Sequence, residues 1–348
     1  MKSPDFALVR SPLFLQHEIA ESHPENAQRL KSIYEIFDDP EWNNVPAISP
    51  SAVDESLLRE VHAETMCDMT LPLAGQSGWL DPDTYYCPSS ISVALAACGS
   101  TAQLALRIWN GEYRRGFALT RPPGHHATRD QSMGFCLFNN VAVATKAILQ
   151  ESPKARIAIV DFDLHHGNGT QGLFYDNPNV LFISSHRYPF YPGTGSLTEV
   201  GADSAVGTSI NFPLPKAYGD DYFMTLYDRL IRPMLRSFAP EMILVSAGFD
   251  GHRSDPMGGF ALSTQGYGKL AEILIAASED QKGKILFCLE GGYDPNAVRD
   301  SVKEVLQKIK ELPRGKILTS PAGLKVVPDA TLKDFAKYYR QYFPEVGL

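Results

Sequence analysis

The sequence predicts an α/β protein with a central, mostly parallel sheet flanked by helices, folded as one domain of 348 residues. Three observations carry that reading. Short apolar, β-branched or aromatic runs alternate with longer stretches of helical periodicity, and strands separated by helices pair in parallel through right-handed crossovers. No internal repeat or low-complexity tract breaks the alternation. Four of the runs end in a glycine-containing loop with a titratable side chain, and open parallel sheets form their sites beyond the carboxyl ends of the strands. Length alone would suggest about two domains, but large α/β enzymes often run this long as one.

In chain order, strands are expected at GFALT (116–120), RIAIVDF (156–162), VLFISS (180–185), EMILVSA (241–247) and KILFCL (284–289). A helix is expected at 91–110, stopped by Gly111, and another at 139–151, entered through Asn139 and Asn140. Further helices are expected at 220–238, 264–278 and 296–311. In the first of these, Leu226, Leu230, Met234 and Phe238 fall at four-residue steps on one face, which reads as core.

A net charge of −8 argues against a surface given over to nucleic acid. No run approaches the roughly 20 apolar residues of a spanning helix, and the opening MKSPDFALVRSPLF lacks the apolar segment of a signal peptide. Five scattered cysteines (Cys67, Cys87, Cys98, Cys136 and Cys288) form no CxxC pair, which disfavours a disulfide scaffold or a cysteine metal site. A cytoplasmic protein without nucleic-acid or membrane partners is the expectation.

The four loops read RPPGHH, DLHHGNG, GFDGH and EGGYDP. In the second, Asp163 and His165 are two apart in extended chain, so both side chains point the same way and His166 points elsewhere. Asp250 on the third loop closes an Asp/His/Asp set that leaves positions open for water and substrate, as a catalytic zinc requires. The ligand types alone would also admit iron or manganese. A single Asp-x-His is as often a helix cap or buried ion pair; Asp250 moves the reading to a metal. RPPGHH brings His125 and His126 on a stiff Pro–Pro approach. One histidine can act as base and then as acid, and Asp161 is placed to orient the other. Tyr293 can donate to a developing oxyanion.

Together these strings resemble the zinc-dependent histone deacetylase superfamily, which includes the acetylpolyamine amidohydrolases. The likeness runs from HPENAQR (23–29) to LEGGYDP (289–295), inside a motif-bearing core of about 17–312. HPENAQR and Asn168 in HHGNGT look like the class II branch. The resemblance implies an arginase–deacetylase fold with an eight-stranded parallel sheet. It implies zinc on Asp163, His165 and Asp250, His126 as general base and then acid, His125 as its electrostatic partner paired to Asp161, and Tyr293 on the scissile carbonyl. It also implies potassium near Asp161, Asp163, His165, Ser184 and Ser185, and a second potassium near Phe174, Asn177, Val180 and Thr208. Gly134, Phe135 and Tyr191 would wall a narrow tunnel, with Met257 and Thr84 at its rim, Gly292 against the substrate, Asn168 supporting the site and Arg29 near the inner end.

The activity implied is removal of acetyl or other short acyl groups from lysine side chains of proteins or peptides. An acetylated polyamine or other small amine is the alternative. An arginase-like two-metal site would need a carboxylate just after His165, where the chain has His166 and Gly167. A non-catalytic acyl-lysine binder is the remaining reading, disfavoured because every expected catalytic position is filled.

Overall fold

The computed structural model describes residues 5–19, 22–313 and 325–347. The strands are β1 (Phe6–Val9), β2 (Ala47–Ile48), β3 (Gly78–Trp79), β4 (Tyr85–Tyr86), β5 (Arg115–Ala118), β6 (Ile157–Asp161), β7 (Val180–Arg187), β8 (Ser209–Leu214), β9 (Met242–Ala247) and β10 (Ile285–Leu289). The helices are α1 (Gln28–Tyr34), α2 (Glu55–Val61), α3 (Glu64–Thr70), α4 (Ser90–Trp109), α5 (Asn140–Glu151), α6 (Asn168–Phe174), α7 (Asp220–Leu226), α8 (Arg232–Phe238), α9 (Thr264–Glu279), α10 (Pro295–Glu311) and α11 (Ala330–Tyr339).

Eight strands form one sheet in the order β2-β1-β5-β10-β9-β6-β7-β8, and every neighbouring pair is parallel. Strands β3 and β4 make a separate antiparallel hairpin. All five expected strands are present. The sequence reading omits β1, β2 and β8. Strand β1 has four residues and β2 two, too short for a pattern to register. Strand β8 reads SINFPL, and its Asn211 and Pro213 mask the apolar run; Pro213 is tolerated because β8 is an edge.

Side-chain capping follows the chemistry of the chain. Asn139 caps α5 by accepting from Ala142 N, Ser263 caps α9 through Gly266 N, and Asp294 caps α10 through Ala297 N. The single helix expected over 220–238 is interrupted by a π-helical turn at Tyr227–Ile231 between α7 and α8. Leu226, Leu230, Met234 and Phe238 are nonetheless all buried. Helix α4 corrects one expectation. By length and composition it could cross a membrane, yet 72% of that window is buried inside this fold, where α4 packs on α5 and on β1, β5 and β10.

The sheet order builds the site. Loops after β5, β10, β9 and β6 are far apart in sequence, but those four strands are consecutive neighbours in the centre of the sheet. Their carboxyl ends therefore deliver His125 and His126, Tyr293, Asp250, and Asp163 with His165 to one place.

Candidate active site

At the floor lie Asp163, His165 and Asp250, all buried, with one ligand-type atom from each within 4.8 Å of the others. His165 Nδ1 is 2.9 Å from Asp250 Oδ2 and 3.2 Å from Asp163 Oδ1. The backbone fixes the remaining carboxylate oxygens: Gly291 N donates to Asp163 Oδ2 (2.9 Å) and Leu164 N to Asp250 Oδ1 (2.8 Å). Gly291 has to be a glycine, since a Cβ there would sit 2.6 Å from both Asp163 Oδ2 and Asp250 Oδ2. Two carboxylates this close in a dry site repel. Burial and then Asp163 push the Asp250 pKa up to about 7. The donor set, two carboxylates and an imidazole converging on one point, fits a divalent cation held by two oxygens and one nitrogen.

Beside this set stand the two loop histidines, ring centroids 4.0 Å apart. His125 Nδ1 donates to Asp161 Oδ2 at 3.0 Å. Burial opposes charge on this ring, but Asp163 and Asp161 outweigh it and push the pKa up to about 10. His126 is the opposite case. Burial, then the charges of His125 and His165, hold its pKa well below the ordinary histidine value. Its Nδ1 meets Asn168 Oδ1 at 2.8 Å; with that oxygen as acceptor, Nδ1 carries the proton and Nε2 is free to accept one. Gly134 leaves room for this ring: a Cβ there would lie 2.5 Å from His126 Cδ2. The side chain of His166 points away, to Thr194 Oγ1 (2.8 Å) and Gln171 Oε1 (3.1 Å).

A cavity of about 150 Å³ rises from this floor, lined by His126, His165, Gly134, Phe135, Phe190, Tyr191, Tyr293, Met257 and Asp83. Phe135 and Tyr293 meet edge to face at 5.9 Å, and Tyr191 meets His126 likewise at 5.1 Å. Phe190 stacks on His165 at 5.3 Å and carries the Arg187 guanidinium on its ring. Burial and then Asp250 raise the Tyr293 pKa well above its usual value, so the hydroxyl stays protonated.

Two residues expected against the substrate have partners within the protein. Thr84 is fully buried, and its Oγ1 accepts from Phe135 N (3.0 Å), bracing a residue held at φ +69°. Neighbouring Asp83 lines the cavity. Gly292 is held at φ +115° and its carbonyl accepts from Arg29 Nε. Arg29 sits under the Tyr293 ring, 4.9 Å from its centroid, and also donates to Glu290 O. Ser184 stands opposite Asp161 in the β6–β7 register; its Oγ bonds His186 Nδ1, and Ser185 Oγ bonds the Tyr227 hydroxyl. Phe174, Asn177 and Val180 lie along one turn, where Val180 N donates to Asn177 O, and Thr208 O accepts from Phe182 N.

The sequence reading misses four supports. Glu290 accepts from Gly124 N (2.6 Å) and His125 N (3.2 Å), fixing the histidine loop. Asp255 accepts from Tyr293 N (2.6 Å) and Met257 N (2.9 Å), tying the tyrosine to the rim. Glu25 joins Arg29 and Arg121 in a buried network. Phe190 lies beside Tyr191 in YPFYP and is equally aromatic. Glu290 and Glu25 stand inside the quoted motifs EGGYDP and HPENAQR, and Asp255 follows GFDGH by three residues; the signal was a charged residue in a loop next to a site.

The histone deacetylase domain matches residues 23–309 of this chain. The chain belongs to the histone deacetylase family. Over 80% of its length it is 36% identical to a probable deacetylase from Archaeoglobus fulgidus, 79% of which is covered. Over 93% of its length it is 35% identical to histone deacetylase clr3 from Schizosaccharomyces pombe. It spans 50% of that relative and 41% of histone deacetylase 4 from Caenorhabditis elegans. Among solved structures, the HD domain of HDA15 superposes with a TM-score of 0.88 at 32% identity, covering 99% of this chain and 96% of that one.

Proposed function

We propose that the chain hydrolyses the amide of acetylated, or other short-acylated, lysine side chains in proteins or peptides, with zinc held by Asp163, His165 and Asp250. One observation carries this reading: the His126 ring, its Nδ1 against Asn168 Oδ1, lies beside a buried Asp/His/Asp set at the foot of an apolar cavity that also holds Tyr293. Zinc bound there supplies Lewis acidity, polarising an amide carbonyl and acidifying water. His126 Nε2 takes a proton from the attacking water and later returns it to the departing amine. His125, kept cationic by Asp161 and Asp163, stabilises the negative charge that develops. The Tyr293 hydroxyl donates to the carbonyl oxygen as it becomes an oxyanion. Phe135, Phe190 and Tyr191 line the path of the alkyl chain and exclude water from it.

Potassium held by backbone carbonyls near Asp161, Asp163, His165, Ser184 and Ser185 belongs to the same reading, as does a second ion around Phe174, Asn177, Val180 and Thr208. A reducing, cytoplasmic setting is consistent with five free, buried cysteines.

The test is turnover of acetyl-lysine peptides by zinc-loaded protein, with Asp250→Ala as the inactive control. Tyr293→Phe is expected to lose ~10²-fold or more in kcat, the size of one lost oxyanion donor. Near-normal turnover in that variant would remove Tyr293 from the mechanism. A second reading, an acetylated small amine as substrate, is favoured by one feature: the Asp83 carboxylate at the mouth suits a polyamine cation. Comparing kcat/KM for acetyl-lysine peptides and acetylpolyamines separates the two.

A further inference from the structure

Four large hydrophobic side chains stand exposed among the described residues, and two of them line one concavity. Met69 is 75% exposed and Trp79 58%. With Met66, Leu73, Leu80 and Tyr86 they shape a groove of about 320 Å³. Paired exposed apolar groups in a concavity mark an interaction site more often than single ones do.

The groove and the tunnel mouth are neighbours, lined by different residues of the same two segments. The β3–β4 hairpin divides the two: Trp79, Leu80 and Tyr86 face the groove, while Asp83 between them lines the mouth. The loop from Asp130 to Phe135 is shared in the same way, with Ser132 on the groove and Phe135 on the tunnel. Rings bridge the gap. His23 lies 4.8 Å from Phe135 and 6.3 Å from Trp79, so the two outer rings are no more than about 11 Å apart. An extended chain rises ~3.3 Å per residue. A residue about three positions from one inserted in the tunnel therefore reaches Trp79. Asp130 lines the groove and Asp83 the mouth, and among the described residues no lysine or arginine lines either concavity, Arg187 lying behind the Phe190 ring.

We propose that this groove is a subsite for an apolar side chain flanking the acylated lysine, and that the substrates are cationic peptides with such a residue about three positions away. The proposal rests on the lysine-deacylase reading above and narrows its substrate class. A polyamine would satisfy the carboxylates but leave the groove empty.

The experiment is a panel of acetyl-lysine peptides on the zinc-loaded protein. Each flanking position is leucine or glycine in turn, on a basic or an acidic background, beside an acetyl-lysine amide with no flanking residues. Wild type is expected to favour leucine at one position about three residues away by roughly tenfold in kcat/KM, expressed in KM. Trp79→Ala is expected to lose that preference while cleaving the bare amide at the wild-type rate. Equal kcat/KM for leucine and glycine peptides, or a preference that survives Trp79→Ala, overturns the subsite. So does a dimer in sedimentation that Trp79→Ala dissociates without touching peptide preference, because a second copy of the chain then occupies the groove. Binding of a labelled peptide is read without turnover. Failure of the deacylase reading, with the bare amide left uncleaved, is thus distinct from failure of the groove, with no Trp79-dependent binding.

Discussion

In the proposed mechanism, Asn168 sets how far His126 can serve as a base. Its Oδ1 accepts a hydrogen bond from His126 Nδ1 at 2.8 Å, and being neutral it adds no charge to oppose burial and His125. Replacing it with aspartate places a negative charge in hydrogen-bond contact with the ring, and an opposite charge that close raises a pKa by about 1–3 units. A base must be neutral to accept a proton. The acid limb of kcat/KM for Asn168→Asp should therefore move to higher pH, while the alkaline limb, governed by other groups, stays in place. A pH–rate profile checks this, and an unmoved acid limb would show that His126 does not take the proton. That Asp163, His165, Asp250, His125, His126 and Tyr293 gather at one place was legible at this scale, because metal-ligand and base chemistry restricts residue types. Their supports were less so. Glu290 and Asp255 act by accepting backbone N–H groups from Gly124 and Tyr293, a job that leaves no pattern in side-chain spacing. Thr84 and Asp83 are adjacent, and only the fold decides which is buried and which reaches the rim.

Among the elements, the central strands were readable because β6, β9 and β10 are buried along their whole length and so are continuously apolar. Their order was not, since β6 and β9 pair across some eighty residues of intervening chain. The same long-range stitching explains His62, which ends α2. Its Nδ1 donates to Thr128 O (2.8 Å) and its Nε2 accepts from Asn139 N (3.0 Å), joining that helix to both ends of the loop that carries Phe135. Protonating Nε2 would set two donors face to face. Burial, opposed by the Thr128 bond, lowers the pKa from 6.5 to about 4. The unfolded chain therefore binds this proton first as pH falls. The stability from neutral His62 is complete above about pH 6.5 and is lost between there and pH 4, about 3 kcal/mol in all. His62→Gln keeps an acceptor but cannot titrate. Urea unfolding across pH 4.5–7.5 should show a shallower fall for the variant than for wild type; equal slopes would place the sensitivity elsewhere.

Across the whole molecule, the sheet gathers a dense negative charge into its centre. Asp161, Asp163, Asp250 and Glu290 are all buried at the carboxyl ends of three adjacent strands. Burial and neighbouring carboxylates push Asp250 and Glu290 each up to about 7, so the folded protein carries a strain that a cation would relieve. Zinc should act as a ligand of the native state alone. At a free concentration one hundred times its dissociation constant it adds about 2.7 kcal/mol, enough to raise the melting temperature of a domain this size by roughly 4 °C. Asp250→Asn separates the two contributions. The amide keeps an oxygen for Leu164 N but removes one of the repelling charges. The chelator-treated variant should therefore melt no lower than chelator-treated wild type, and zinc should no longer raise its melting point. Calorimetry on both proteins, with and without chelator, decides the matter. A variant that still gains the wild-type increment from zinc would mean that the ion stabilising the fold sits somewhere other than between Asp163, His165 and Asp250.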